Sequence, residues 1–187
     1  MQKNNKGFSL IELLISITVM TIIAAAITPI LYQYINKSRK ADDIEAAETI
    51  ADAFSASLAN EEVYEAATEF VDAEGKDSNG QYPVILWCNG NDNEWTLRDG
   101  YDPVIKEIMD KTCPPSKVKY RRTIHPSTAA SANADYITTS DDFTPGGWAL
   151  CIINNQPVAM ITDGTTDSST PPKAASLSPV VCSDYKL

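Results

Sequence analysis

"KGFSLIELLISITVMTIIAAAITPILYQYI", residues 6–35, is the stretch whose reading decides the architecture. From Phe8 to Ile35 it is dominated by Ile, Leu, Ala, Val and Thr. About 20 apolar residues suffice for a helix to cross a bilayer, so the run is long enough. Glu12 is the one charged side chain between Lys6 and Lys37. A carboxylate at membrane depth costs on the order of 2.5–3.5 kcal/mol even on lenient insertion scales, so its presence demands a reason. A secretory signal peptide fits poorly, because the run is too long and no A-x-A site follows it. A plain anchor is poorly oriented by its flanks, since Lys37, Arg39 and Lys40 crowd the end opposite Lys3 and Lys6.

Working outward, Pro29 lacks an N–H and deprives the Ala25 carbonyl of its helical donor, which kinks or loosens a helix. Apolar spacing resumes at once with Ile30, Leu31 and Tyr34, so a kinked but continuous helix is expected. Further on, Ile44, Ala47, Ala51, Phe54 and Leu58 recur at helical spacing and form one apolar stripe. Asp42, Asp43, Glu45, Glu48 and Asp52 are read as the solvated face opposite. A helix from Phe8 to about Asn60 is roughly 80 Å long at 1.5 Å per residue, bare in its first half and packed on a head in its second, a lollipop shape. The acidic "EEVYEAATEF", residues 61–70, reads either as an extension of this helix or as a separate turn.

The segment "KGFSLIELL" resembles the processing site of class III signal sequences, those of type IV prepilins and related pseudopilins. The resemblance covers about the first 50 residues. It implies that a membrane-embedded prepilin peptidase cuts between Gly7 and Phe8 and N-methylates Phe8. It places the family's glutamate at Glu12 and its helix-kinking proline at Pro29. It also implies the role of Glu12: pairing with the N-terminal amine of a neighbouring subunit as that subunit joins a filament. A paired carboxylate in a packed core costs less than a lone one in hydrocarbon.

Composition agrees with a membrane segment plus one domain. The chain has 187 residues, 43% hydrophobic, with a formal net charge of −10. That acidity argues against a nucleic-acid partner, because phosphate neutralisation needs clustered Lys and Arg. Removing residues 1–7, with Lys3 and Lys6, gives 13 − 25 = −12. Such heads repel, so apolar helix packing is expected to carry assembly. All four cysteines, Cys88, Cys113, Cys151 and Cys182, follow the apolar run, and none forms a CxxC pair. Two disulfides in an oxidising compartment are expected, with Cys88–Cys113 and Cys151–Cys182 favoured because sequence-adjacent closure costs least entropy. Four buried thiols are the alternative.

The remainder reads as a mixed head. "YPVILWC" is a buried strand and "EWTLR" a second. "YDPVIKEIMDKT" is a helix with Asp102 as N-cap, Pro103 in its first turn, and Val104, Ile105, Ile108 and Met109 on one face. "KVKYRRTI" alternates as a half-exposed strand should, and "WALCIINNQPVAMIT" is a hairpin turning at Asn154 and Asn155. "SPVVCSDY" supplies a last strand carrying Cys182, while "HPSTAASANADY" and "TDGTTDSSTPPKAAS" read as surface loops. The expected fold class is α+β and type IV pilin-like: a long N-terminal helix, membrane-spanning in its first half, packed on a C-terminal antiparallel sheet. The expected segments are a removed leader at 1–7, a membrane and filament-core half at 8–36, and a globular head at 37–187.

Catalytic chemistry is not apparent. His125 is the single histidine and precedes Pro126 in a Ser/Thr/Ala-rich stretch, so no triad is expected. "NGNDNEW" and "TDGTTDSS" offer oxygen ligands but miss the EF-hand pattern, although some pseudopilins bind calcium in a C-terminal loop; no metal and no cofactor are expected. Arg121 and Arg122 suit an exposed edge or an intersubunit contact rather than a nucleic-acid site. The resemblance therefore implies a non-enzymatic pilus subunit. Its partners are copies of itself in a helical homopolymer, the prepilin peptidase, the pilus assembly platform with its minor pilins, and the membrane before assembly. It implies residence in the cytoplasmic membrane and then in an extracellular filament. A pseudopilin or minor pilin of a secretion or competence system is the alternative. So is a tip adhesin that binds through Trp87, Trp95 and Trp148.

Overall fold

The computed structural model describes residues 9–69, 84–88, 94–124, 142–154, 156–165, 172–179, 182 and 185. Helix α1 spans Leu10–Ser57 and passes through Pro29 without a break. The chain divides into two compact units, Met1–Ser38 and Arg39–Leu187. In the first, the helix stands by itself, with Leu10, Met20, Ile22, Ile30 and Tyr34 among its exposed apolar side chains.

In the second unit, the apolar stripe is buried as its spacing predicts. Ala47, Ala51 and Phe54 are in the core, joined by Ile50, while Ile44 and Leu58 are half-buried against it. Asp43 departs from the expectation: it is buried, not on the solvated face. The helix tightens and stops as Ala59 N–H donates to the Ala56 carbonyl and Asn60 N–H to that of Ser57. Asn60 then caps a separate helix α2, Glu61–Thr68, its side chain accepting from Glu62 N–H at 3.0 Å. Val63, Ala66 and Ala67 turn its apolar face inward.

Five antiparallel strands follow: β1 (Leu86–Trp87), β2 (Thr96–Leu97), β3 (Gly147–Ile153), β4 (Gln156–Thr162) and β5 (Ala174–Ser178). Helix α3, Pro103–Thr112, lies between β2 and β3 in sequence, with Asp102 capping Val104 N–H at 2.9 Å as expected. The sheet order is β2-β1-β3-β4-β5. The β3–β4 hairpin turns at Asn154, whose φ of 49° suits the left-handed turn that Asn tolerates. Strand alternation divides the sheet into two buried faces. Trp148, Leu150, Ile152, Ala159, Ile161 and Leu177 pack with the helices, whereas Trp87, Ala149, Cys151, Ile153 and Met160 form a second cluster.

Two strand assignments change. The last strand is Ala174–Ser178, from the tail of the supposed surface loop, and Cys182 lies beyond it with its N–H on the Ser176 carbonyl at 2.9 Å. Small Ala and Ser side chains hid this strand, because low complexity masks a wholly buried register. Residues 117–124 keep their alternation, with Val118 and Ile124 buried, yet among the described residues their strand-like pairing is the Ile124–Phe143 bridge. The Lys119 and Tyr120 amides instead donate to the Asp43 carboxylate, both at 2.8 Å.

Candidate processing and assembly site

Gly7 and Phe8 lie outside the described residues, which open at Ser9. Glu12 sits in the first turn of α1 and folds back, its Oε2 accepting the Ser9 backbone N–H at 3.0 Å. The Ser9 carbonyl accepts from Glu12 and Leu13. This is one half of a capping box, in which a third-position glutamate satisfies the cap residue's own amide. The local signal is "SLIE", a Ser followed three residues later by Glu before an apolar run. Glu12 thus has a partner within its own subunit, and its negative charge stands at the positive end of the helix macrodipole.

The hydroxyls of Ser16, Thr18, Thr21 and Thr28 in the apolar run are satisfied by the helix itself. Ser16 donates to the Glu12 carbonyl at 2.8 Å, Thr18 to Leu14 at 2.7 Å and Thr28 to Ala24 at 2.6 Å. Hydroxyls bonded in this way expose no unsatisfied donor to hydrocarbon, which offers no water in exchange. Among the described residues α1 is the one helix long and apolar enough to cross a membrane. Pro29 is within it, four residues after Ala25, whose carbonyl it cannot serve.

In the head, Asp43 joins three segments that are far apart in sequence. Beside the two backbone amides, it accepts the Tyr185 hydroxyl at 3.2 Å. Burial pushes the Asp43 carboxyl above its ordinary value, and the bonds from Lys119, Tyr120 and Tyr185 oppose that rise. Burial, aided by the neighbouring Asp43 charge, pushes the Tyr185 phenol up strongly. Tyr120 and Tyr185 meet edge to face at 5.2 Å, with the Lys40 ammonium 5.0 Å from the Tyr120 ring.

The four cysteines are distributed over both faces of the sheet. Cys88 and Cys182 lie in the core on the helix side of the sheet, with Cys113 packed at its margin, whereas Cys151 belongs to the opposite face. The sheet therefore stands between the members of the favoured Cys151–Cys182 pair. Cys151 Sγ lies 3.5 Å from Met160 Sδ, and burial pushes its thiol far up. Desolvation also raises Cys113. Trp87, Trp95 and Trp148 are all buried, which removes the aromatic surface imagined for a tip adhesin. Two of the indoles pin the segment after α3, donating to the carbonyls of Cys113 and Ser116. Arg121 and Arg122 are exposed, and His125 lies outside the described residues, as does "NGNDN". In "TDGTTDSS" the described part is a local turn, with Asp163 Oδ1 accepting the Thr165 N–H at 3.3 Å. No cluster of potential metal ligands occurs among the described residues.

A family model described as the prokaryotic N-terminal methylation motif matches residues 2–28. No curated protein and no solved structure matches the chain. The matched span contains the Gly7–Phe8 junction, the Glu12 cap and the start of the bare apolar helix. By that motif the chain carries a class III prepilin signal, the N-terminal signature of type IV pilins and pseudopilins.

Proposed function

We propose that the chain is a structural subunit of a type IV pilus, cut between Gly7 and Phe8, N-methylated at Phe8, and polymerised into a surface filament. The supporting observation is the bare part of α1: a long apolar surface with no cover, its hydroxyls satisfied internally and its one carboxylate at the helix start. Such a surface is stable in a lipid bilayer or against copies of itself, and in water it is not. Residues 8–36 serve as membrane anchor first and as filament core afterwards, and residues 37–187 form the head. A heterologous interface that does not close on itself generates a helical filament from one repeated contact. The partners are the prepilin peptidase, the assembly platform with its minor pilins, and further copies of the chain. The role is structural, with no reaction assigned to any residue.

Two measurements test this reading. Mass spectrometry of the exported form is expected to begin at N-methylated Phe8; an intact Met1 or another cut site overturns it. Shearing of cells is expected to release filaments in which this chain dominates. Its absence from them, with trace cell-associated amounts, points to a minor pilin or pseudopilin instead.

A further inference from the structure

The head's formal acidity conceals a strongly uneven distribution. Between residues 41 and 69 every charged side chain is acidic. Basic residues gather instead where α1 enters the second unit. Arg39 and Lys40 lie on the helix, and Lys117, Lys119, Arg121 and Arg122 lie on the extended strip. The strip is held there by the helix itself, through the Asp43 bonds to the Lys119 and Tyr120 amides and the Lys119–Asp42 ion pair at 2.9 Å. With Val118 buried and Tyr120 half-buried, the alternation turns Lys117, Lys119 and Arg121 outward together. Counting Asp42, Asp43 and Glu45, the carboxylates that act on Lys119, against the six bases leaves 6 − 3 = +3 on a chain whose total is −10.

This patch coincides with a second, independent feature. Ile35 ends the apolar run, and Arg39 follows about one helical turn later on the same helix. If the run spans a bilayer, Arg39 and the strip docked beside it come within a Debye length of the lipid headgroups. We infer that Arg39, Lys117, Lys119 and Arg121 form a contact surface for anionic phospholipid headgroups on the outer face of the membrane, holding the unassembled subunit's head against the bilayer. The inference rests on the membrane-anchored stage proposed above. It accounts for a basic flank that the positive-inside rule leaves unexplained, since charge on that side here serves the surface and not the orientation. It also revises the picture of uniformly repelling heads: the strip beside Arg39 and Lys40 is rich in bases, whereas every charged side chain of residues 41–69 is acidic.

The test uses the full-length chain in liposomes of phosphatidylcholine alone or with one third phosphatidylglycerol. Flotation in high salt first establishes insertion; a chain that fails to float overturns the membrane stage itself. Amine acylation is then followed residue by residue by mass spectrometry. Lys117 and Lys119 are expected to react about fivefold more slowly in the anionic vesicles, with the difference abolished by high salt. Lys111, exposed on α3, which packs on α2 at the other end of the head-side helix, is expected to react equally in both. Lys117→Gln with Arg121→Gln is expected to remove the protection of Lys119 while leaving the thermal unfolding of the head unchanged. Equal rates of Lys117 in the two lipids, in a chain that floats, overturn the inference. So does protection that appears in both lipids and follows the protein-to-lipid ratio, which would assign the patch to the acidic surface of a second copy.

Discussion

The carboxylate of Asp43 accepts the hydroxyl of Tyr185 at 3.2 Å, across 142 residues of sequence. With the Lys119 and Tyr120 amides on the same group, one helix side chain secures both the basic strip and the C-terminal segment. Removing it leaves buried donors unsatisfied, at about 1–3 kcal/mol each. Asp43→Ala is therefore expected to destabilise the head by roughly 2–5 kcal/mol, read from denaturant unfolding in detergent.

The same residue predicts a pH dependence. Burial raises the Asp43 pKa in the folded state above its ordinary carboxylate value, so the folded chain keeps this proton to higher pH than the unfolded chain. The contribution is thus fully present below the unfolded value and is lost as pH rises through the folded one. The stability of the wild type relative to Asp43→Asn is expected to decline over that window and then level off. A difference that instead grows with pH over that window would contradict the raised value.

The Ser9 cap and the proposed pairing with a neighbouring subunit are separable by substitution at Glu12. Glu12→Gln keeps an oxygen for the Ser9 amide but removes the charge, whereas Glu12→Ala removes both. Cleavage at Gly7 is expected to persist in each variant. If charge pairing with a neighbouring subunit drives assembly, sheared filament yield falls severalfold in both. If capping alone matters, at typically about 1 kcal/mol or less for such a contact, Glu12→Gln retains near-normal yield. Normal piliation in Glu12→Ala would refute an assembly role.

Cys151 is predicted to stay a thiol. It is fully buried on the face of the sheet opposite Cys182, and the thiolate is the reactive form. Alkylation under non-reducing conditions at neutral pH is expected to spare it in the folded chain and to modify it only after unfolding. Recovery of a disulfide-linked Cys151 peptide would overturn this.

Gly146 is a position where space alone decides. A Cβ there would stand 2.6 Å from the Asp163 carbonyl oxygen, in the close approach of the β3 and β4 ends. Gly146→Ala is expected to lower stability by about 1–3 kcal/mol, visible as a reduced thermal midpoint.

Much of this was legible from residue order. The cap and stripe of α3, the turn at Asn154 and the apolar stripe of α1 are local patterns, and local backbone physics enforces them. The half capping box at Ser9 and Glu12 is equally local. The strip from Lys117 to Ile124 was misread for a different reason. Its alternation is real, but alternation records only which side faces inward, not whether the amides pair with a strand or with a carboxylate. Asp43 likewise reads as solvated, because an aspartate next to Asp42 and two residues before Glu45 carries no sign that distant amides will meet it.

By itself, then, the sequence determined that this protein has a methylation-type N-terminus, a membrane-length apolar helix and a mixed α+β head, because motif, hydropathy and periodicity act over a few turns of chain. Only the tertiary structure decided that Asp43 is buried, that Cys151 and Cys182 are parted by the sheet, and that Asp42 and Asp43 hold Lys119 and Tyr120 against α1. Those outcomes depend on contacts between residues tens of positions apart, and burial or pairing at that range follows from packing rather than from local pattern.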